Sequence, residues 1–407
     1  MKLIIRTENE NNFNWIKKIL GEGYTYQYKT IPQPKHMQWA YKNTDQSFKT
    51  LPKRIQNLLK FDKTDFIISI IKNDVEIPVI SIEITASKPP SQHIEQRIAR
   101  MISAAELGVV PIYIIPKTVL NEQGKISWEF QTKFYNLFHK IGRINKIPFV
   151  GFHFPDKDGV LLNDDTSHGC PDANHENTSK IVEFINEILL EIKKIDDLNF
   201  SFFNNSKIKE IFNNQKFLSK NKVHDVENMG TCEIIDTENL PERIKNYSTD
   251  LNADLLNNII KNMPQKIFLR KKSLIFFPGN KRKLVESRLL NHSGDPYVGM
   301  LAALDYAFCR TGPTTDERDV NLVFIPGNKD DSDFKKVFAT EGYNLFYEKH
   351  CPFKYTEIDN DAPTASVQLN KISHHLEHGC TYSKQRPLKI YSHYCDIIVF
   401  KNSLLTF

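Results

Sequence analysis

Apolar and polar positions change period several times along the chain, and each change marks an element. Residues 65–72 (DFIISIIK) and 78–86 (PVISIEITA) are apolar, β-branched runs of strand length. Lys72-Asn73-Asp74 is a turn signal between them, so the pair is expected as a hairpin. Pro89 and Pro90 then interrupt the chain, and Ser91 suits a helix cap with Glu95 acidic in the first turn. Over 92–107 (QHIEQRIARMISAAEL), Ile94, Ile98, Met101, Ile102 and Ala105 fall on one helical face. His93, Gln96, Arg97 and Arg100 fall on another, and Gly108 suits the stop. Residues 109–115 (VVPIYII) have the continuous apolar character of a buried parallel strand. Strand, strand, helix, strand is an α/β unit whose helix crosses between strands of one sheet.

Around this region, helices are expected over 13–20 and 51–60, the latter with Pro52 near its start, and over 128–143 and 179–194. A strand is expected over 148–154, followed by a polar loop over 155–178. Residues 196–265 are Asn-rich with modest helical patches such as 251–262, and read as a linker or irregular subdomain. From 266 onward strands return as IFLRKKSLIFF, NLVFIP and YCDIIVFKN. One helix there has Asp295 as cap, Pro296 as opener, Leu301 and Leu304 on the inner face and Gly312 beyond it. No repeated segment and no low-complexity tract stands out. The expected layout is a first domain over 1–195, the linker over 196–265 and a second domain or sheet extension over 266–407. The fold class is α/β, a mixed central sheet flanked by helices.

With 407 residues, 40% hydrophobic and 25% charged, the chain can bury a sizeable core, which excludes wholesale disorder. Lys and Arg number 54 against 49 Asp and Glu, a net charge of +5 that permits a nucleic-acid partner without requiring one. No stretch approaches the roughly 20 apolar residues that span a bilayer, and the start lacks the apolar core of a signal peptide. The six cysteines are scattered without a C-x-x-C pair, as in a reduced, cytoplasmic protein. Phosphate-loop, dinucleotide-binding and G-x-S-x-G hydrolase motifs are absent.

The candidate chemistry is acidic. Asp65 heads the first strand of the hairpin and Glu83 lies within the second. Two carboxylates converging at a sheet end make a hard-oxygen site suited to Mg²⁺, which polarises phosphate and activates water. In the run V-I-S-I-E-I-T a carboxylate is costly to bury unpaired. Two readings stand: a solvent-facing Glu83 on a half-exposed strand beside Ser81 and Thr85, or a carboxylate that is paired, metal-bound or open to a cleft. The polar helix face bearing Gln96, Arg97 and Arg100 is either solvated or a phosphate holder, for which an arginine fork is suited. Downstream, Arg270, Lys271, Lys272, Lys281, Arg282 and Lys283 bracket a strand and a Pro-Gly-Asn turn. That patch, with Asn280, Arg288, Asn291 and His292, reads equally as a solvated surface or as a DNA-contacting one. The sets His168, Cys170, His175 and His374, His375, His378, Cys380, His393, Cys395 lack paired zinc spacing and fit ordinary polar and buried roles.

Residues 65–115 resemble the catalytic core of the PD-(D/E)XK nuclease superfamily, and within it the type II restriction endonucleases. The elements that carry the resemblance are the helix RIQNLLK, then K-T-D65-F-I-I-S, the hairpin, I-S-I-E83-I-T85, the helix with E-Q96-R97-I-A-R100, and VVPIYIIP. At its widest the resemblance spans residues 50–180. It implies a Mg²⁺-dependent hydrolase of phosphodiester bonds in double-stranded DNA, specific for a sequence, acting as a homodimer in a restriction–modification system. It assigns the metal to Asp65, Glu83 and the carbonyl of Ile84. Thr64 stands where the family often has Pro, and Thr85 where it has its lysine; Lys88, or a water held by Thr85, would take over the lysine's task. Gln96, Arg97 and Arg100 would support ligands or hold phosphate. The C-terminal half, with Lys281, Arg282, Lys283, Arg288 and Asn291, would read and grip the DNA. Thr85 also leaves room for a non-catalytic DNA-binding protein on a decayed nuclease fold. A repair nuclease without sequence preference is the third reading.

Overall fold

The computed structural model describes residues 1–32, 50–59, 64–85, 93–121, 123–130, 133–154, 160–162, 170–171, 173–174, 176–194, 201–217, 232–247, 269–277, 296–325, 355–357, 373–376, 393–399 and 404–406. The chain divides into two compact units. One takes in Met1–Lys35 and Asn43–Val223, and the other is formed chiefly by His224–Phe407.

The first unit is built on strands β1 (Lys2–Thr7), β2 (Thr25–Thr30), β3 (Phe66–Lys72), β4 (Val75–Ile84), β5 (Val110–Ile115) and β8 (Val150–His153), in the spatial order β2-β1-β3-β4-β5-β8. Strand β3 is antiparallel to both neighbours, and every other pairing is parallel. The expected hairpin is β3–β4. It closes through Asn73 and Asp74, both at positive φ (50° and 59°), between the paired Lys72 and Val75. Short polar side chains tolerate that left-handed backbone, which matches the strand twist. A register shift between Ile68 and Ser69 falls opposite Pro78, whose ring nitrogen cannot donate to the ladder.

Helix α1 (Glu10–Leu20) joins β1 to β2. Asn9 caps it by accepting from the Asn12 amide at 2.9 Å, and Gly21 at φ 69° ends it. Helix α2 (Lys53–Leu58) precedes β3, and α3 (His93–Glu106) crosses from β4 to β5 as the apolar spacing predicts, ending before Gly108 at φ 74°. Helices α4 (Lys133–Asn145) and α5 (Glu176–Lys194) follow. On one face of the sheet Phe66, Ile68, Ile80, Ile82, Ile84, Ile112 and Ile114 pack against Trp15 and Ile16 of α1 and Ile181, Phe184, Ile185 and Ile188 of α5. Each such side chain contributes about 1.5–3 kcal/mol by leaving water. On the opposite face lie Ser81, Glu83, Thr85 and Tyr113, beneath α3 and α4. Strand β4 is therefore buried on both faces. This corrects the half-exposed reading of Glu83: its polar neighbours face a helix, not water.

A small sheet of β6 (Thr118–Leu120), β7 (Ile126–Glu129) and β9 (Val160–Leu162) also belongs to this unit. Trp128 thus stands on a strand, and the helix expected from 128 starts at Lys133. The turn before β7 is fixed by Asn121 Oδ1, which accepts from the Gln123 and Lys125 amides at 3.1 and 2.8 Å, and by Gly124 at φ 71°. Helix α6 (Ser206–Phe217) lies within the stretch read as linker and packs on the first unit. Phe212 fills the space above Gly142, where a Cβ would come within 2.5 Å of its ring.

The second unit holds β10 (Cys232–Asp236), β11 (Lys272–Phe276), β12 (Val320–Phe324), β13 (Tyr355–Glu357), β14 (Ser373–Leu376), β15 (Ile397–Val399) and β16 (Leu404–Thr406), ordered β10-β11-β12-β15-β16-β14-β13. Strands β11, β12 and β15 are parallel. Helix α7 (Leu240–Tyr247) follows β10, and α8 (Pro296–Leu304) lies between β11 and β12 and runs on into a π-turn at Asp305–Cys309. Contrary to the expectation of no repeat, β11 and β12 carry one. Arg270, Leu274, Phe276, Pro278, Gly279, Asn280 and Lys281 recur as Arg318, Leu322, Phe324, Pro326, Gly327, Asn328 and Lys329. The strands pair in the register of the repeat, Leu274 with Leu322 and Phe276 with Phe324.

The first residue of each copy meets the same acceptor. Arg270 Nη1 and Arg318 Nη1 donate to Asp396 Oδ1 at 2.6 and 3.2 Å. Leu322 N donates to Asp396 Oδ2 at 2.9 Å. Arg318 Nε and Nη2 reach Asp305 at 2.7 and 3.0 Å, and Arg310 Nε reaches it at 2.8 Å. Burial alone would push the Asp396 carboxyl up; the Arg318 and Arg270 charges and the amide outweigh it and hold the group below its usual range.

Candidate active site

The site is assembled where the hairpin strands meet at the carboxyl end of β4. The last registered pair of β3 and β4 is Phe66 with Ile82, so Asp65 and Glu83 follow as the next opposed positions. Thr64 holds the approach: its hydroxyl donates to the Ile82 carbonyl at 2.9 Å and accepts from Ser81 Oγ at 2.9 Å. A proline could make neither contact, so the departure at Thr64 is structurally used. The half-buried Asp65 accepts from the Ile84 amide through Oδ2 at 2.7 Å. Its negative charge is felt by Cys170, whose thiol is pushed up to about 12 by burial first and by Asp65 second.

Glu83 is fully buried. Its Oε1 accepts from Arg100 Nη1 at 2.7 Å and lies 3.5 Å from Arg97 Nε. Both arginines come from the face of α3 that the sequence marks as polar; their side chains remain 24% and 20% exposed at the mouth of the site. Arg97 Nη1 also donates to the Ile84 carbonyl and, at 2.7 Å, to Thr85 Oγ1. Thr85 in turn shares a 2.9 Å hydrogen bond with Tyr113 OH, where either hydroxyl can donate. Tyr113 is buried and pairs with Glu83 across β4 and β5; burial pushes its phenol far above the ordinary value. Tyr113 is the member of this cluster that sequence reasoning missed. Its signal was a lone hydroxyl in the otherwise apolar run VVPIYII.

Of the other positions singled out in the sequence, Gln96 belongs to α3, but its side chain lies outside the described residues, as do Lys88, Lys281, Arg282, Lys283, Arg288 and Asn291 altogether. The cap Asp295 and the histidines His168, His175 and His378 lie outside them too. Cys395 is described and buried, its thiol pushed well up by desolvation.

The oxygens gathered here are the carboxylates of Asp65 and Glu83, the Ile84 carbonyl and the Thr85 hydroxyl. Among the described residues no group of three or more His, Cys, Asp and Glu side chains is poised for a metal. A two-carboxylate, one-carbonyl set nonetheless fits Mg²⁺, which takes hard oxygens and keeps several of its waters. In this structure Arg97 lies on three of the gathered oxygens, donating to the Ile84 carbonyl and the Thr85 hydroxyl and standing 3.5 Å from Glu83 Oε1. Chemically the arrangement offers acidic oxygens for a cation and two guanidinium groups for a phosphate. No known protein family, curated protein or solved structure matches the chain. No helix among the described residues is long and apolar enough to cross a membrane.

Proposed function

We propose that the protein is a Mg²⁺-dependent type II restriction endonuclease that hydrolyses phosphodiester bonds in double-stranded DNA at a specific sequence, as a homodimer, with the nuclease site in the first unit and DNA recognition in the C-terminal half. The observation that carries the reading is the convergence of Asp65, Glu83 and the Ile84 carbonyl at one sheet end, with Arg97 and Arg100 beside them. The succession β1, β3, β4, α3, β5, antiparallel through β4 and parallel at β5, also agrees with the resemblance to the PD-(D/E)XK core. Asp65, Glu83 and the Ile84 carbonyl would hold the cation. A divalent ion bound there supplies the charge that polarises a phosphate oxygen and lowers the pKa of a water. On this reading Thr85, whose hydroxyl is held by Arg97 and Tyr113, would orient a water. Arg100 holds and aims the Glu83 carboxylate through its 2.7 Å contact, and the arginine forks favour an anionic phosphate in the mouth of the site.

One observation favours a second reading, a DNA-binding protein without catalysis: Glu83 is already balanced by two guanidinium groups, and Thr85 stands in place of the lysine. Digestion of a large, sequenced DNA with Mg²⁺, followed by end mapping, separates the readings. Discrete ends, lost in Asp65→Ala and Glu83→Gln while DNA binding persists, support the endonuclease. Binding without any cut across divalent metals and substrates supports the second reading, and smeared ends indicate a nuclease without sequence preference.

A further inference from the structure

The contacts of Arg97 describe more than a phosphate holder. A guanidinium carries five donors, no acceptor and a permanent charge, so its partners map where the protein stabilises positive charge. For Arg97 those partners are the Ile84 carbonyl, Thr85 Oγ1 at 2.7 Å and, at 3.5 Å, Glu83 Oε1. They are a main-chain oxygen, a hydroxyl and a carboxylate, the donor types a hard divalent cation takes. Arg100 makes the shorter contact to Glu83 at 2.7 Å, so the carboxylate has a cationic partner even without Arg97. Arg97 instead fixes the Ile84 peptide from its carbonyl side, while Asp65 holds the same residue through its amide at 2.7 Å. The side chain is long and 24% exposed, which gives its head a way out to water.

We infer that Arg97 is a resident cation of this site. It occupies the Ile84 and Glu83 oxygens when no metal is bound, and it yields them to a divalent cation. Arg97 is thus a positioning residue that competes with the metal and keeps the oxygens convergent in its absence. This rests on the reading of the site as a divalent-cation site. It has a consequence opposite to that of a simple supporting role: removing Arg97 makes the metal bind more tightly.

The test is a Mn²⁺ titration of the full chain without DNA, followed by the electron paramagnetic resonance of free Mn²⁺, for wild type, Arg97→Gln and Arg97→Lys. Arg97→Gln is expected to tighten Mn²⁺ binding about tenfold. Arg97→Lys keeps the charge and loses the fork, and is expected to tighten it by a smaller factor. Should Arg97→Gln fail to fold, as read by circular dichroism, Arg97→Lys alone decides by the direction of its change. Unchanged or weakened Mn²⁺ binding in the folded variant overturns the inference while leaving the nuclease reading standing. Absence of Mn²⁺ binding in wild type and both variants, up to millimolar metal, overturns both.

Discussion

Each unit of this protein sets arginines against carboxylates at strand ends, and the two clusters use the same ingredients to opposite effect. In the second unit Arg270, Arg318 and Asp396 stand just before β11, β12 and β15, at the amino ends of parallel strands, with Asp305 and Arg310 behind them; all five are at most 9% exposed. In the first unit Glu83 and Ile84 stand at the carboxyl end of β4, and Arg97 and Arg100 open to solvent at 24% and 20%. Ligands of open α/β sheets bind outside the carboxyl ends of strands. A sealed network at the amino ends holds strands together; a partly open one at the carboxyl ends can exchange partners. The repeat in β11 and β12 fits the first role, since each copy contributes one arginine to the same carboxylate.

The largest expected effect breaks the comparison if it fails. Asp396→Asn leaves the buried Arg270 without its carboxylate partner and Arg318 with Asp305 alone, which costs about 3–5 kcal/mol. Glu83→Gln leaves arginines that can turn to water, and its cost is about 1–2 kcal/mol. Hydrogen exchange resolved by mass spectrometry, with thermal melts, measures each unit by itself. Equal destabilisation by the two variants would mean that the clusters are not different in kind.

Much of the open site was legible from the chain, and the sealed one was not. Asp65, Glu83, Arg97 and Arg100 lie within one hairpin and the helix that follows it, so local patterning alone aligns them. Glu83 was ambiguous because alternation with Ser81 and Thr85 looks the same whether the polar face meets water or the arginines of α3. Arg270 meets Asp396 across 126 positions of sequence, and Arg318 meets it across 78. Nothing in short strands such as β15 announces such partners. Strands β1 and β2 were missed for a related reason. KLIIRT is brief and runs into Asn-rich sequence, and TYQYKT gains its place only by pairing beside β1.

A pH titration sharpens the comparison at a smaller magnitude. His153 ends β8; burial lowers its pKa from 6.5 to about 4, against the hydrogen bond its Nδ1 makes to the Ile115 carbonyl at 3.0 Å. Nε2 faces the Tyr135 hydroxyl. The unfolded chain takes up a proton near 6.5 and the folded one only near 4, so falling pH favours unfolding of the first unit between those values. About 2–3 kcal/mol is lost over that window. The depressed Asp396 contributes its stability above its ordinary value of 3.8, and loses it only as pH falls through the lower folded value. Between pH 7 and 5 the first unit is therefore expected to weaken and the second to hold. His153→Gln should flatten that loss, as followed by hydrogen exchange at both pH values. A loss shared equally by both units, or one that survives in His153→Gln, would remove His153 as its cause.

The finest contrast concerns hydroxyls. In the second unit Thr237 and Ser273 share a 2.9 Å hydrogen bond, and Asn321 Nδ2 donates to Ser273 at 3.1 Å. In the first unit Thr85 and Tyr113 share a bond of the same length, with Arg97 as the third partner. Tyr113→Phe and Ser273→Ala each remove one buried hydroxyl whose partner keeps another contact, so each is expected to cost about 1 kcal/mol. Their effects part at the site. Without the Tyr113 hydroxyl, Thr85 is held by Arg97 alone and its own hydroxyl is free to rotate. If the site cuts DNA as proposed, Tyr113→Phe should slow cleavage by about two- to fivefold, within what one neutral hydrogen bond supplies, whereas Ser273→Ala should leave the rate unchanged. Cleavage that is indifferent to Tyr113→Phe, at the expected stability cost, would confine the phenol to packing and leave Arg97 to position Thr85 unaided.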